Sequence, residues 1–328
     1  MRLQYVAMTA LVVLTTGAAS SPSYAQQPAD PSTLRVCTGS KTGNYYFAGK
    51  EWLERISHDL FQRAENVSPP QPGSLTNLRK LASGDCDVGF AQADVVNQYI
   101  VENPASRDTI SLLKVAYKEY VHILCPTTLK ASTLTDFAKL PGTRTLIVGE
   151  DGSGTAETWR ILRQTNDKLY GSILRDNQPA DITSATAVMD SAATCMMWVS
   201  GLNSGDMVSA NQRSVQTQSG KPGLKLISID DPAFLKLMAI NGQPLYQSET
   251  VTPRKPTANQ PGLYNNLINN GGWFNSDSIT MLSVPSDLMI RNDYKTAIGR
   301  EKLSRISTSF IDALPTIWAR VNPDGKND

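Results

Sequence analysis

One unit recurs along this chain and constrains its fold more than any other feature: a short apolar run ends in a glycine- and serine-containing loop and passes into an amphipathic helix. Residues 34–38 are the first such run, and Gly39-Ser40-Lys41-Thr42-Gly43 is its loop. Residues 45–61 follow with apolar side chains at Tyr46, Phe47, Trp52, Leu53, Ile56, Leu60 and Phe61, a spacing that predicts a helix capped by Asn44. An extended stretch at 66–71, a turn at Pro72-Gly73 and a helix over 75–82 with Ser74 at its N-cap repeat the scheme. Residues 86–92 read as a strand opening onto a helix at 94–99. Strands alternating with helices imply an α/β fold with a mainly parallel sheet, whose loops gather in one crevice at the carboxyl ends of the strands.

Residues 112–125, closed by Pro126, read as two strands joined by a turn near Lys118-Glu119, the second leaving the first lobe. From Leu134 the pattern restarts: a short helix at 135–140, a turn at Pro141-Gly142, a strand at 145–148, a glycine loop at 149–154 and a helix at 155–165. Beyond these come a helix at 188–193, strands at 194–199 and 224–229, and a proline-rich connection at 251–260. The alternating apolar residues of 278–290 cross back to the first lobe before helical segments run to Trp318.

Met1-Arg2, the apolar residues 6–14 and the small residues of Ser23-Tyr24-Ala25 spell a secretory signal peptide over 1–25. A membrane span needs about 20 predominantly apolar residues, and Thr15, Thr16, Gly17, Ser20 and Ser21 interrupt the run. The expected product lies outside the cytoplasmic membrane and is not embedded in it. It is also formally neutral: the leader carries one charge, Arg2, so 30 of the 31 basic residues remain against 30 acidic ones. No basic tract marks a nucleic-acid footprint. Removing the 25-residue leader from 328 leaves 303, beyond the roughly 250 to 300 at which one core stops growing, so two lobes are expected.

Cys37, Cys86, Cys125 and Cys195 allow three pairings into two bridges in an oxidising compartment, or serve as small buried side chains. No Cys-x-x-Cys is present, and His58 and His122 have no nearby ligands, so no metal is expected. Asp85 and Asp87 around Cys86 fit a turn before a strand.

Three places put a hydroxyl and a glycine where a strand turns into a helix: Gly39-Ser40 with Tyr45 and Tyr46, Gly73-Ser74, and Gly152-Ser153-Gly154-Thr155. Glycine lets the backbone approach a ligand closely, and a helix N-terminus offers N–H donors with a positive dipole end. A nucleotide is not implied: Gly49-Lys50 is followed by Glu51, and the glycines of 149–154 lack dinucleotide spacing. Nor does Ser153 sit in a hydrolase elbow, because Asp151 occupies the place of its first glycine. His122 lies in an apolar run as a core residue, and His58 falls on the polar face of the first helix. No cofactor and no catalysis are expected.

In order and spacing, residues 34–160 resemble the TAXI branch of solute-binding proteins of tripartite ATP-independent periplasmic (TRAP) transporters. The resemblance rests on Thr38-Gly39-Ser40 with Gly43 and Tyr45-Tyr46, on Gly73-Ser74-Leu75-Thr76-Asn77-Leu78 with Leu81-Ala82-Ser83-Gly84, and on 87–94. It continues through Val121-His122 and Val148-Gly149 to Gly152-Ser153-Gly154-Thr155. Lys41 stands where a glycine is common, adding a cation at the mouth of the site. The resemblance implies a type II periplasmic-binding-protein fold, two α/β lobes joined by crossing strands around a ligand cleft. It divides the chain into a first lobe of 26–125 and 281–328 and a second of 126–280. It further implies a small carboxylate ligand, glutamate-like or a related organic acid, passed in the periplasm to a TRAP-type permease. Gly39, Ser40, Tyr45 and Tyr46 are expected on the first-lobe wall, with Ser74, Asn77 and Gln92 adding hydrogen bonds. Gly152, Ser153, Gly154 and Thr155 are expected on the second. The rival readings are a periplasmic sensor that contacts a membrane receptor, and an exported enzyme on the same scaffold.

Overall fold

The computed structural model describes residues 29–69, 73–214, 223–255, 262–268 and 278–323. The signal peptide, Pro72 and Pro261 lie outside them. The first unit comprises β1 (Thr33–Cys37), α1 (Asn44–Leu53), β2 (Arg63–Val67), α2 (Ser74–Ser83), β3 (Val88–Gln92) and α3 (Ala93–Glu102). The long strand β4 (Ile110–Pro126) then leads into the second unit. That unit holds α4 (Leu134–Lys139), β5 (Thr145–Ile147), α5 (Gly154–Thr165), α6 (Asp167–Tyr170), β6 (Leu174–Asp176), α7 (Ile182–Met189), β7 (Thr194–Ser200) and α8 (Gly205–Arg213). The short strands β8 (Leu224–Leu226) and β9 (Gln247–Val251) follow, then β10 (Ile279–Arg291) and α9 (Asn292–Val321), the last bent at Gly299.

The strand order is β2-β1-β3-β10-β4-β7-β5-β6. Its two halves are built alike. In the first, β2, β1 and β3 run parallel and are joined by antiparallel β10; in the second, β6, β5 and β7 run parallel and are joined by antiparallel β4. The long strands β10 and β4 pair with each other over Ile110–Arg291 to Val121–Leu282. Each lobe thus borrows its antiparallel strand from the crossing pair, the reciprocal arrangement that defines the type II periplasmic-binding-protein fold.

Both faces of each half-sheet are covered. Leu34, Val36 and Phe90 pack against Trp52 of α1 and Ile306, Phe310 and Leu314 of α9, and Leu78, Leu81 and Val95 close the opposite face. In the second lobe Leu146 and Val148 pack with Phe137, Trp159 and Leu162 on one side, and Met196 and Trp198 with Met207 and Tyr264 on the other. Each lobe carries one disulfide, at non-equivalent places. Cys37–Cys86 ties the end of β1 to the entry of β3, and Cys125–Cys195 ties β4 to β7.

Several sequence expectations are corrected. The first helix stops at Leu53, not near Phe61, because Ser57 donates to the Asp59 carboxylate and supports a turn instead. Ile56, Leu60 and Phe61 are buried from that turn, so the apolar spacing outlasted the helix. His58 sits exposed in the same turn. No turn occurs at Lys118-Glu119: β4 runs straight through, pairing Lys118 with Pro285 and Glu119 with Val284. The helix expected at 188–193 is α7, which begins at Ile182 and ends at Met189, with Asp181 accepting the Ser184 N–H as its cap. Gly43 and Gly73 rather than Asn44 and Ser74 occupy the N-caps of α1 and α2. Among the described residues no helix is long and apolar enough to cross a membrane.

Candidate functional site

A cavity of about 390 Å³ lies between the lobes, within the range of small-molecule sites. Its walls follow from the repeated unit. Each parallel strand delivers the chain to the same edge of the sheet, and the helix that follows starts there. The N-cap residues of six helices therefore line one cavity: Gly43 of α1, Gly73 of α2, Gln92 of α3, Ser153 of α5, Asp181 of α7 and Ser204 of α8.

Of the residues expected from sequence, Gly39, Ser40, Tyr45, Ser74, Gln92, Ser153, Gly154 and Thr155 line this cavity. Tyr46, Asn77 and Gly152 are not among the lining residues. The Tyr46 carbonyl accepts from Asn66 Nδ2, Asn77 Nδ2 donates to the Phe90 carbonyl and fastens α2 to β3, and the Gly152 carbonyl accepts the Thr76 N–H at 3.4 Å. Of the adjacent tyrosines it is therefore Tyr45 that faces the cleft. Lys41 is exposed and also outside the lining.

The hydroxyls have partners of their own. Ser153 Oγ accepts the Ala156 N–H, Thr155 Oγ1 accepts the Val199 N–H at 3.1 Å, and Ser74 Oγ accepts the Gln92 N–H at 3.1 Å. Tyr45 donates to Glu119 Oε2 at 2.8 Å and lies 3.3 Å from Ser74 Oγ. Glu119, buried on β4, is pushed up to about 8 by loss of solvent, against the lowering bond from Tyr45 and with Asp94 adding to the rise. Asp206 is lifted to about 6, first by burial and then by the charge of Asp181.

Glu119, Glu150, Asp181, Trp198, Ser204 and Asp206 belong to the cavity but were not singled out in the sequence. Two signals could have found Glu119, Ser204 and Asp206. Glu119 is an ionisable residue inside an apolar run, and Ser204-Gly205-Asp206 repeats, after β7, the hydroxyl-to-helix junction already recognised after β1 and β5.

His122 is a core residue, with its ring nitrogens 3.1 Å from the Trp198 carbonyl and 2.6 Å from the Tyr264 hydroxyl. Burial pushes it down to about 4. Asp87 pairs with Arg35 and Asp85 with Lys80, as turn residues do. Among the described residues no group of three or more His, Cys, Asp or Glu is placed to hold a metal. What the cavity offers is recognition: backbone dipoles, amides and carboxyl groups around a space for a small polar molecule.

The fold and the interlobe cleft define a two-lobed protein of the type II periplasmic-binding class. The NMT1-like family matches residues 36–250, and the chain belongs to that family. Among solved structures it is similar to a Listeria monocytogenes protein provisionally named an L-cystine ABC transporter, at 12% identity over 90% of this chain and 98% of that one, with a TM-score of 0.48. It is also similar to the periplasmic aliphatic sulphonate binding protein SsuA from Escherichia coli, at 14% identity over 90% and 77%, with a TM-score of 0.47. A periplasmic substrate-binding protein of an ABC transporter from Coxiella burnetii matches at 12% identity over 89% and 98%, with a TM-score of 0.43. Likenesses this distant say nothing about the ligand of this chain.

Proposed function

We propose that this chain is the solute-binding subunit of a membrane transporter, exported through the signal peptide at 1–25. It captures a small carboxylate-bearing molecule between its lobes and delivers it to a permease of the TRAP type. The observation that carries this reading is the convergence of six helix N-caps, three from each lobe, on one cavity. A helix N-terminus is equivalent to about half a positive charge with outward N–H groups, so the ring favours an anionic group held between the lobes.

Closure supplies the transport signal. The lobes 26–125 with 281–328 and 126–280 swing about β4 and β10, and a ligand shifts that equilibrium only by contacting the closed form better than the open one. Gly39, Ser40, Tyr45, Ser74 and Gln92 form one jaw; Ser153, Gly154 and Thr155 form the other. The ligand passes through the cleft chemically unchanged.

Titration calorimetry of amino acids, dicarboxylates and oxo-acids against the wild type and Ser153→Trp tests the proposal. Binding by the wild type that is lost in a folded Ser153→Trp protein is the expected result. Equal affinity of the two proteins would remove the cleft from the account.

A further inference from the structure

The two walls of the cleft differ in chemistry. Apart from Glu119 on the crossing strand β4, the first-lobe wall carries hydroxyls, glycines and two carboxamides, with no carboxyl group. Gln92, 2% exposed, and Asn44, 9% exposed, line the cavity, and each has an amide nitrogen, Nε2 and Nδ2, without a hydrogen-bond partner. Buried amide N–H groups call for acceptors. The facing wall and floor are acidic: Glu150, Asp181 and Asp206 come from the second lobe and Glu119 from β4, and no Lys, Arg or His is among the lining residues. Helix capping accounts for one oxygen of Asp181 and suits the first turn of α8 at Asp206. It does not account for Glu119, which stands on a strand.

We propose that the molecule held here carries a cationic nitrogen, seated against Asp181 and Asp206, opposite the acceptor group that Asn44 and Gln92 receive. The ligand is therefore a zwitterion or a basic amino-acid-like molecule and not a simple di-acid. This rests on the solute-binding reading above and narrows it. A di-acid would bring two negative charges to a wall of carboxyl groups offset only by helix dipoles. An ammonium group against the acids replaces like-charge repulsion with charge-assisted hydrogen bonds, which are roughly twice as strong as neutral ones. The ionisable groups around it are Glu119, Glu150, Asp181 and Asp206, with Tyr45 bonded to Glu119. Cation binding favours the ionised forms of Glu119 and Asp206, both raised by burial, so it releases protons.

The test uses pairs that differ by one cationic group: glycine betaine with 3,3-dimethylbutyrate, 6-aminohexanoate with hexanoate, and L-glutamate with glutarate. Each is titrated calorimetrically into the wild type, Asp181→Asn, Asp206→Asn and the exterior control Asp312→Asn. Asparagine keeps the shape at both positions and the cap at 181, and circular dichroism confirms folding. In at least one pair the cationic member is expected to bind about tenfold tighter or more, as a buried charge-assisted contact provides. That preference is expected to vanish in Asp206→Asn and shrink in Asp181→Asn, to persist in Asp312→Asn, and to grow between about pH 5.5 and 7.5 as Asp206 ionises. Equal or tighter binding of the members that lack the cationic group, indifferent to both cleft variants, would overturn the cation and leave the solute-binding reading intact. If no member of any pair binds the wild type, the inference falls together with the reading it rests on.

Discussion

Tyr246 of the second lobe donates its phenolic O–H to Asp94 Oδ2 of the first at 2.6 Å, and Thr158 of α5 donates to the same oxygen at 2.7 Å. Asp94 is fully buried, and that burial raises its affinity for a proton despite the two donors. Its other oxygen accepts the Val95 N–H within α3, so Oδ2 alone depends on the second lobe, and parting the lobes would remove both of its donors.

Tyr246→Phe keeps the ring and removes one of the two donors. A hydrogen bond of this kind contributes about 1 to 3 kcal/mol, so the ratio of closed to open molecules is expected to fall roughly 5- to 150-fold. Small-angle scattering of the variant should show a larger radius of gyration than the wild type. An unchanged radius and unchanged ligand affinity would mean that Asp94 is merely a core residue.

The buried acids give stability an uncommon pH dependence. Glu119 is raised to about 8 and Asp287 to about 7, burial being the first cause in each. The native state holds these protons more tightly than the unfolded chain, so their contribution is greatest at low pH and is lost as pH rises through the native values. Below about pH 6.5 the depressed His122 opposes them, since there the unfolded chain takes up a proton that the native imidazole refuses. The clean window is therefore about pH 6.5 to 8.5. Tm is expected to fall across it, and Glu119→Gln is expected to flatten the slope.

Gly154 sits where the jaws meet. A Cβ at that position would overlap the Gln92 carboxamide and come within 2.8 Å of Ser74 Oγ. Its own backbone needs no glycine: no positive φ occurs there, and alanine is a good first helical residue. Gly154→Ala is expected to leave Tm of the empty protein within a few degrees while weakening ligand binding tenfold or more, because the added methyl wedges the lobes apart. Unaltered binding would show that the jaws do not close on Gln92.

Much of this was legible in the sequence because one unit is written twice. The glycine loops at 39–43 and 149–154, each between an apolar run and a helix, both reach the cavity, Gly39, Ser40 and Gly43 from one and Gly149, Ser153 and Gly154 from the other. The cysteines left three pairings open, since the bridges join residues 49 and 70 positions apart through a sheet order that no local signal encodes. The acidic wall was missed for a related reason. Glu119 reads as a turn residue until β10 is laid beside β4, and Asp181 and Asp206 look like surface charges until α7 and α8 are seen to start at the same edge as α1 and α2. Asn77, by contrast, carried the right motif for another purpose: its side chain ties a helix to a strand.

The central claim is that a small solute draws the lobes together. All four native cysteines are in disulfides, so spin labels can be placed on the exposed positions Lys41→Cys in the first lobe and Thr183→Cys in the second. The interlobe distance is then measured by pulsed electron resonance without and with a saturating acid that calorimetry shows to bind. A broad distribution that collapses to one shorter distance on ligand addition is expected. A distance that stays the same with ligand bound would contradict closure as the mechanism.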